Sequence, residues 1–215
     1  MFKMPNNFSV VGVDLDGTLY PITPEIQKRQ RGNIYKKMSV HFGISVEEAG
    51  TLFEEYYLKL GSGSSALELI AGKLSKQIPK EDFIQEALEE TDFLDLLEQN
   101  FALSQMLSRI SLTRQLDLIT SSKYDFALEK LRRIGIYKEV FDCILAHEGF
   151  KTTGEVYRQW VAKRGFLSSQ HLYVGDNKIQ DINIPSAIGI KTCFLGSYAR
   201  ADFQIKNILD LEQIL

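Results

Sequence analysis

The run Val13-Asp14-Leu15-Asp16-Gly17-Thr18 places two acids two residues apart, directly behind a short apolar stretch. In an extended chain such residues point to the same side, so their charges repel unless a cation or a shared proton offsets them, and a hard dication does so well. Asp176 and Asp181 follow a second apolar run, His171 to Val174, and add oxygen ligands of the type magnesium prefers. Four carboxylates can thus face one pocket. Thr120, Ser121 and Ser122, behind the run Leu116 to Thr120, bring hydroxyl and amide donors, and Lys151 brings a cation. Groups of these kinds suit a bound phosphate.

These residues are far apart in the chain, so a fold has to gather them. Phe8 to Val13 is β-branched and apolar, short enough for a buried strand that ends at Asp14. Leu116 to Thr120, Cys143 to Leu145, His171 to Val174 and Lys191 to Leu195 read as further strands, separated by amphipathic helical patterns. Between residues 20 and 97 the pattern is helical: Thr23 before Pro24 marks one start, Ser45 with Glu48 a second, Ser65 with Glu68 a third, and a fourth pattern runs from about Lys80 to Glu90. Gly61 is a natural stop for the second helix. The simplest architecture is α/β: a three-layer Rossmann-like core with a parallel sheet, built from residues 1–19 and 98–215, plus an inserted α-helical cap over 20–97. In open parallel sheets a ligand site lies beyond the carboxyl ends of the strands, where the strand order reverses, and Asp14, Thr120 and Asp176 all sit at such ends.

Taken in order, Asp14-Leu15-Asp16-Gly17-Thr18-Leu19-Tyr20, then Thr120, then Lys151 followed by Glu155-Val156-Tyr157, then Gly175-Asp176 through Asp181, resemble the four motifs of the haloacid dehalogenase-like hydrolase superfamily. Most members are magnesium-dependent phosphatases, and a helical cap after the first strand marks one large subgroup. Within it, Tyr20-Pro21, the segment Phe42 to Ala49, and Tyr56-Tyr57 with Gly61 are similar to the pyrimidine 5′-nucleotidase branch. Two departures stand out. Thr152, Thr153 and Gly154 follow Lys151 where members often carry prolines, and Ser121 follows Thr120 where that branch commonly has asparagine.

The resemblance implies that Asp14 is the nucleophile and forms an aspartyl-phosphate, and that Asp16 protonates the leaving oxygen and then activates water. It implies that Thr120 and the amide of Ser121 hold phosphate oxygens, that Thr18 lines the substrate site, and that Lys151 neutralises charge on nucleophile and phosphoryl group. Mg²⁺ would be held by the Asp14 carboxylate, the backbone carbonyl of Asp16, and Asp176; Asp181 is either a further ligand or the partner that orients Lys151. The expected activity is hydrolysis of a small phosphorylated metabolite, with a nucleoside 5′-monophosphate as the first to try. A phosphomutase or a dehalogenase would share the nucleophile, and a non-catalytic module binding magnesium and phosphate is the rival from another class. Asp16 speaks against the last two, since neither needs a proton donor.

Composition narrows the field further. The chain has 215 residues, 25 Lys+Arg against 28 Asp+Glu, a net charge of −3 and 44% hydrophobic residues, which suits a globular core. It lacks the basic footprint of a protein that grips a nucleic acid polymer. No apolar run approaches the about 18 residues a membrane span needs. Cys143 and Cys193 make no disulfide scaffold, and the stretch from Met1 to Asn7 is neither a signal peptide nor a targeting helix, so a cytoplasmic protein is expected. Leu19 stands where a calcium loop starting at Asp14 needs glycine, and Gly61, Gly63 and Ala66 follow a helix rather than the strand a dinucleotide fingerprint requires. His41, His147 and His171 show no metal-ligand spacing.

Overall fold

The computed structural model describes residues 7–80, 82–146 and 151–215; residues 1–6 of the N-terminal stretch and His147 lie outside them. In chain order the elements are β1 (Val10–Val13), α1 (Pro24–Phe42), α2 (Val46–Leu60), α3 (Gly63–Leu74), α4 (Phe83–Glu89), α5 (Phe101–Ser111), β2 (Gln115–Thr120), α6 (Tyr124–Arg133), β3 (Cys143–Ala146), α7 (Glu155–Arg164), β4 (His171–Gly175), α8 (Ile184–Ala187), β5 (Lys191–Leu195) and β6 (Phe203–Ile205). They fall into two compact units, Met1–Pro21 with Leu97–Leu215, and Ile22–Leu96.

The first unit is a Rossmann-like α/β core. Its six strands lie in the order β3-β2-β1-β4-β5-β6 and every pair is parallel. β1 is central: Val13 is in register with Leu118 on one side and Val174 on the other. The chain leaves β1 toward β2 and β3, then returns to its other side for β4, so the strand order reverses beside β1. All four residues of β1 are buried, because helices cover both faces of a parallel sheet. On one face Val10, Ile119, Leu145 and Tyr173 pack with Val156, Tyr157 and Trp160 of α7. Gly12 is the contact that lets α7 approach, since a Cβ there would run into the Trp160 ring. The β6 strand was not among the sequence expectations; three residues are too few to show a period of two.

Every regular element among the described residues of the second unit is a helix. Ile34, Met38, Phe42, Phe53, Leu67, Ile70 and Phe83 form the centre of its own core. Thr23 caps α1 through Ile26 N, and Ser45 caps α2 through Glu48 N, as their residue types predict. Gly61 ends α2 in the left-handed conformation. The third start differs from expectation: Ser62, not Ser65, caps α3, and Ser65 N donates to the Ser62 hydroxyl. In the run Ser62-Gly63-Ser64-Ser65 three serines can each cap, and the earliest lets the helix gain another turn. The fourth helix is shorter than its pattern and has no side-chain cap.

Candidate active site

The reversal of strand order places four chain-distant segments at one edge of the sheet. Asp14 follows β1, and its amide donates to Val174 O at 2.9 Å, which ties it to the end of β4. Lys151 follows β3 and is buried together with Asp14 and Asp181. Its Nζ donates to Asp14 Oδ1 and, at 3.0 Å, to Asp181 Oδ1. The lysine therefore reaches the site from the Thr152-Thr153-Gly154 segment without the prolines common in this position.

Asp176 and Asp181 come from the segment after β4. A π-helical turn over Lys178–Asn183 swings Asp181 back, so that its Oδ2 accepts from Asn177 N at 2.9 Å while Oδ1 meets Lys151. Glycines permit the crowding. A Cβ at Gly17, where φ is +83°, would collide with the Asp176 carboxylate, and a Cβ at Gly175 would collide with Asp181.

Among the described residues, Asp14, Asp176 and Asp181 each bring one carboxylate oxygen to a cluster whose atoms lie within 4.8 Å of one another. An all-oxygen set with this much negative charge fits Mg²⁺. Its electrostatics point the same way. Burial raises the pKa of Asp14 well above the ordinary carboxylate value; Lys151 opposes this, while Asp181, Asp176 and Asp16 reinforce it. Asp176 keeps an exposed edge, yet the protein packed around its carboxylate, with the charge of Asp181, pushes it up to about 6. Burial works against the ammonium of Lys151, but Asp14 and Asp181 outweigh it and keep the group protonated. A dication would relieve the repulsion that remains among the acids.

Asp16 is held differently from the fourth carboxylate of a common pocket. Its Oδ1 accepts from Lys130 Nζ at 2.6 Å and from the Tyr20 hydroxyl, and its Oδ2 accepts from Ser122 Oγ at 3.0 Å. The cation beside its side chain is an ammonium. Burial would raise the Asp16 pKa; the charge and hydrogen bond of Lys130, with the bonds from Tyr20 and Ser122, hold it below the ordinary value. Thr120 is buried and its Oγ1 accepts from Ser122 N at 3.1 Å, which leaves its proton to donate. Ser121 is exposed beside it. Thr18 is buried, and its Oγ1 has no partner among the described residues.

Lys130 is the residue that sequence reasoning missed. The signal was present in α6, where Ala127, Leu131 and Ile134 form a buried stripe and Lys130 falls on the same face.

Residues 13–195 match the family described as haloacid dehalogenase-like hydrolase. The chain belongs to this family. Among solved structures, a phosphatase of the family from Thermococcus onnurineus is similar over 96% of this chain and 97% of its own, with 20% identity and a TM-score of 0.66. A predicted phosphoglycolate phosphatase from Haemophilus somnus matches 97% of this chain and 98% of its own at 16% identity and TM-score 0.59. The L-2-haloacid dehalogenase from Xanthobacter autotrophicus, with chloropropionic acid covalently bound, matches 96% and 98% at 14% identity and TM-score 0.57. At such identities the likeness is one of fold. A search of curated proteins finds no match. For this haloacid dehalogenase-like hydrolase, the aspartate triad and the fold together support magnesium-dependent phosphoester chemistry. No helix among its described residues is long and apolar enough to cross a membrane.

Proposed function

We propose that the protein is a magnesium-dependent phosphomonoesterase that turns over a small phosphorylated metabolite through an aspartyl-phosphate on Asp14. The observation that carries this reading is the meeting of Asp14, Lys151, Asp176 and Asp181 at the reversal of strand order, with a second acid, Asp16, held two residues from the first.

In the proposed reaction, an Asp14 oxygen attacks phosphorus, the bond to the ester oxygen breaks, and that oxygen takes a proton from Asp16. Water then attacks phosphorus, gives its proton to Asp16, and the Asp14 carboxylate is released. The Lys151 ammonium offsets the charge of nucleophile and phosphoryl oxygens, and Thr120 with the Ser121 amide and Thr18 binds the latter. Asp14, Asp176, the backbone carbonyl of Asp16 and Asp181 would hold Mg²⁺, which supplies charge neutralisation to an incoming phosphate dianion. Asp181 already bonds to Lys151, so orienting that lysine is its first role.

The helical insert, residues 20–97, is assigned the part of a cap that excludes water and selects substrate. Nucleoside 5′-monophosphates are the substrate class to try first, because Tyr20-Pro21, Phe42 to Ala49 and Tyr56-Tyr57 resemble the nucleotidase branch. The test is phosphate release from a panel of nucleotides and sugar phosphates, with and without Mg²⁺. Hydrolysis only with the metal supports the reading. No release from any ester favours a binding module, and transfer to a second sugar favours a mutase.

A further inference from the structure

Lys130 is a buried lysine on a helix face otherwise given to Ala127, Leu131 and Ile134. Burying an ammonium is costly, and a buried ion pair seldom stabilises a fold more than a well-packed apolar residue does. Its presence therefore calls for an account beyond stability. The amine lies 2.6 Å from Asp16 Oδ1 and 2.6 Å from Ser122 Oγ, and Ser122 in turn donates to Asp16 Oδ2 at 3.0 Å. Phe126 covers the amine from one side, with its ring centre 4.4 Å away. The lysine side chain is 3% exposed and that of Asp16 is 32% exposed. The carboxylate is thus gripped from its buried side and left open on the other.

The grip selects an orientation as well as a place. Lys130 and Ser122 take different oxygens of Asp16 and are bonded to each other, so the three groups close a ring that fixes the carboxylate plane. An ammonium, a phenol and a hydroxyl all converge as donors, an arrangement satisfied by an ionised carboxylate that accepts at both oxygens. That is the form the second half-reaction needs, when Asp16 receives a proton from water; the proton it gives to an alkyl leaving oxygen in the first half-reaction has to be taken up with the substrate.

We propose that Lys130, through its ring with Ser122, is a positioning residue that holds the Asp16 carboxylate where it accepts the proton of the water that breaks down the aspartyl-phosphate. This rests on the reading of Asp14 as nucleophile and Asp16 as base. In the step concerned, the water oxygen bonds to phosphorus, the bond from phosphorus to the Asp14 oxygen breaks and its electron pair returns to the Asp14 carboxylate, and one water proton passes to Asp16. Formation of the intermediate from an aryl ester needs no such help, because a nitrophenolate leaves without a proton.

The experiment uses the Mg²⁺-loaded protein and p-nitrophenyl phosphate, read by rapid mixing and by intact mass after acid quench. Lys130→Met is expected to give a burst of about one equivalent of p-nitrophenol, then turnover slowed on the order of 10²-fold, the scale of a misplaced catalytic group. The quenched protein carries an added phosphoryl group. Lys130→Arg restores part of the rate, and Ser122→Ala shows the same burst with a smaller slowing. Asp16→Asn separates the two ideas. Unchanged turnover in that variant sinks the reading of Asp16 itself, whereas a burst in Asp16→Asn with parental kinetics in Lys130→Met overturns the role of Lys130 alone. Slow turnover in Lys130→Met with no burst and no phosphoryl adduct also overturns it, as a merely structural lysine would behave that way. If Lys130→Met does not fold, parental kinetics in Ser122→Ala are enough to reject the ring.

Discussion

Arg164, in the last turn of α7, closes two hydrogen bonds on Asp117 in the middle of β2, with Nε 2.7 Å from Oδ2. Asp117 has no solvent exposure, and Trp160 Nε1 donates to the same oxygen at 2.7 Å. The pair anchors α7 on the face of the sheet against which its Trp160 packs. Removing one partner leaves a charge buried alone. Arg164→Met should therefore lower unfolding stability by about 3–5 kcal/mol, measured by urea titration. Because the pair is away from the acidic cluster, the folded fraction should keep its turnover. Adding Asp117→Leu to Arg164→Met should recover only part of the loss, because the buried Trp160 N–H then lacks its acceptor, at a cost of about 1–3 kcal/mol; an additive further loss would contradict the pairing.

In the proposed reaction Lys151 and Thr120 supply donors to the phosphoryl group. Lys151→Met and Thr120→Val should each lower kcat by roughly 10²–10³-fold on p-nitrophenyl phosphate, the usual result of losing one preorganised donor. Steady-state kinetics decide the matter. A change confined to KM would mean that these groups bind the ground state only.

Protons and magnesium compete for Asp176. A ligating carboxylate must be ionised, and this one sits at about 6, raised by burial and by Asp181. As pH falls below about 6, the apparent Kd for Mg²⁺ should rise at least about tenfold per pH unit; above it the dependence should weaken yet persist, because Asp14, in the same cluster, is also raised and must lose its proton to ligate. Calorimetric titration of the chelator-treated protein between pH 5 and 8 measures this. Asp176→Asn should bind weakly at every pH and lose the break near 6, keeping only the dependence that Asp14 contributes.

How much of this was legible in the sequence differs by residue. Asp14, Asp176 and Lys151 could be read because each lies just after an apolar run and has a type that suits phosphate or metal. The sheet order then brings them together without further information. Lys130 and Asp117 were harder. A lysine in an amphipathic helix reads as a solvated group, and its partner Asp16 stands 114 residues away. Asp117 interrupts a buried strand, and only the folded chain shows that Arg164 answers its charge. The start of α3 failed for a different reason, since neighbouring serines offer equivalent caps and local chemistry does not choose among them. The segment that carries Lys151 met the site despite its departure from the proline-containing pattern.

His171 opens β4 with Nδ1 2.9 Å from Leu167 O, its ring edge-on to Trp160, and Nε2 buried without a partner among the described residues. Burial holds its pKa below the ordinary 6.5, although the Leu167 carbonyl and Asp117 pull the other way. The unfolded chain therefore takes up this proton first as pH falls. Stability contributed by the neutral ring is full above about 6.5 and is lost as pH drops from there toward the folded value. Urea titrations at pH 7.5 and 5.5 should show a larger acid loss in the parent than in His171→Phe, which keeps the aromatic contact. Equal losses would remove His171 as the cause.

Asp14 shows the opposite linkage. Burial and three neighbouring acids raise its pKa above the ordinary 3.8 despite Lys151, so the metal-free native state keeps this proton after the unfolded chain has lost it. The unfolded state binds fewer protons in that window, and stability falls as pH rises from about 3.8 through the raised value. Asp14→Asn cannot ionise, and its side-chain oxygen can still accept from Lys151. In chelator its melting temperature should equal or exceed that of the parent, with the gap widening from pH 4 to pH 8. Adding Mg²⁺ should then raise the melting temperature of the parent more than that of the variant, because a ligand that binds the native state stabilises it in proportion to occupancy. Turnover should be abolished, since an asparagine amide cannot serve as the nucleophile that Asp14 is proposed to be. Full activity in Asp14→Asn would show that Asp14 is not the nucleophile, and a parent that melts higher in chelator at pH 8 than at pH 4 relative to the variant would show that it is not the crowded acid described here.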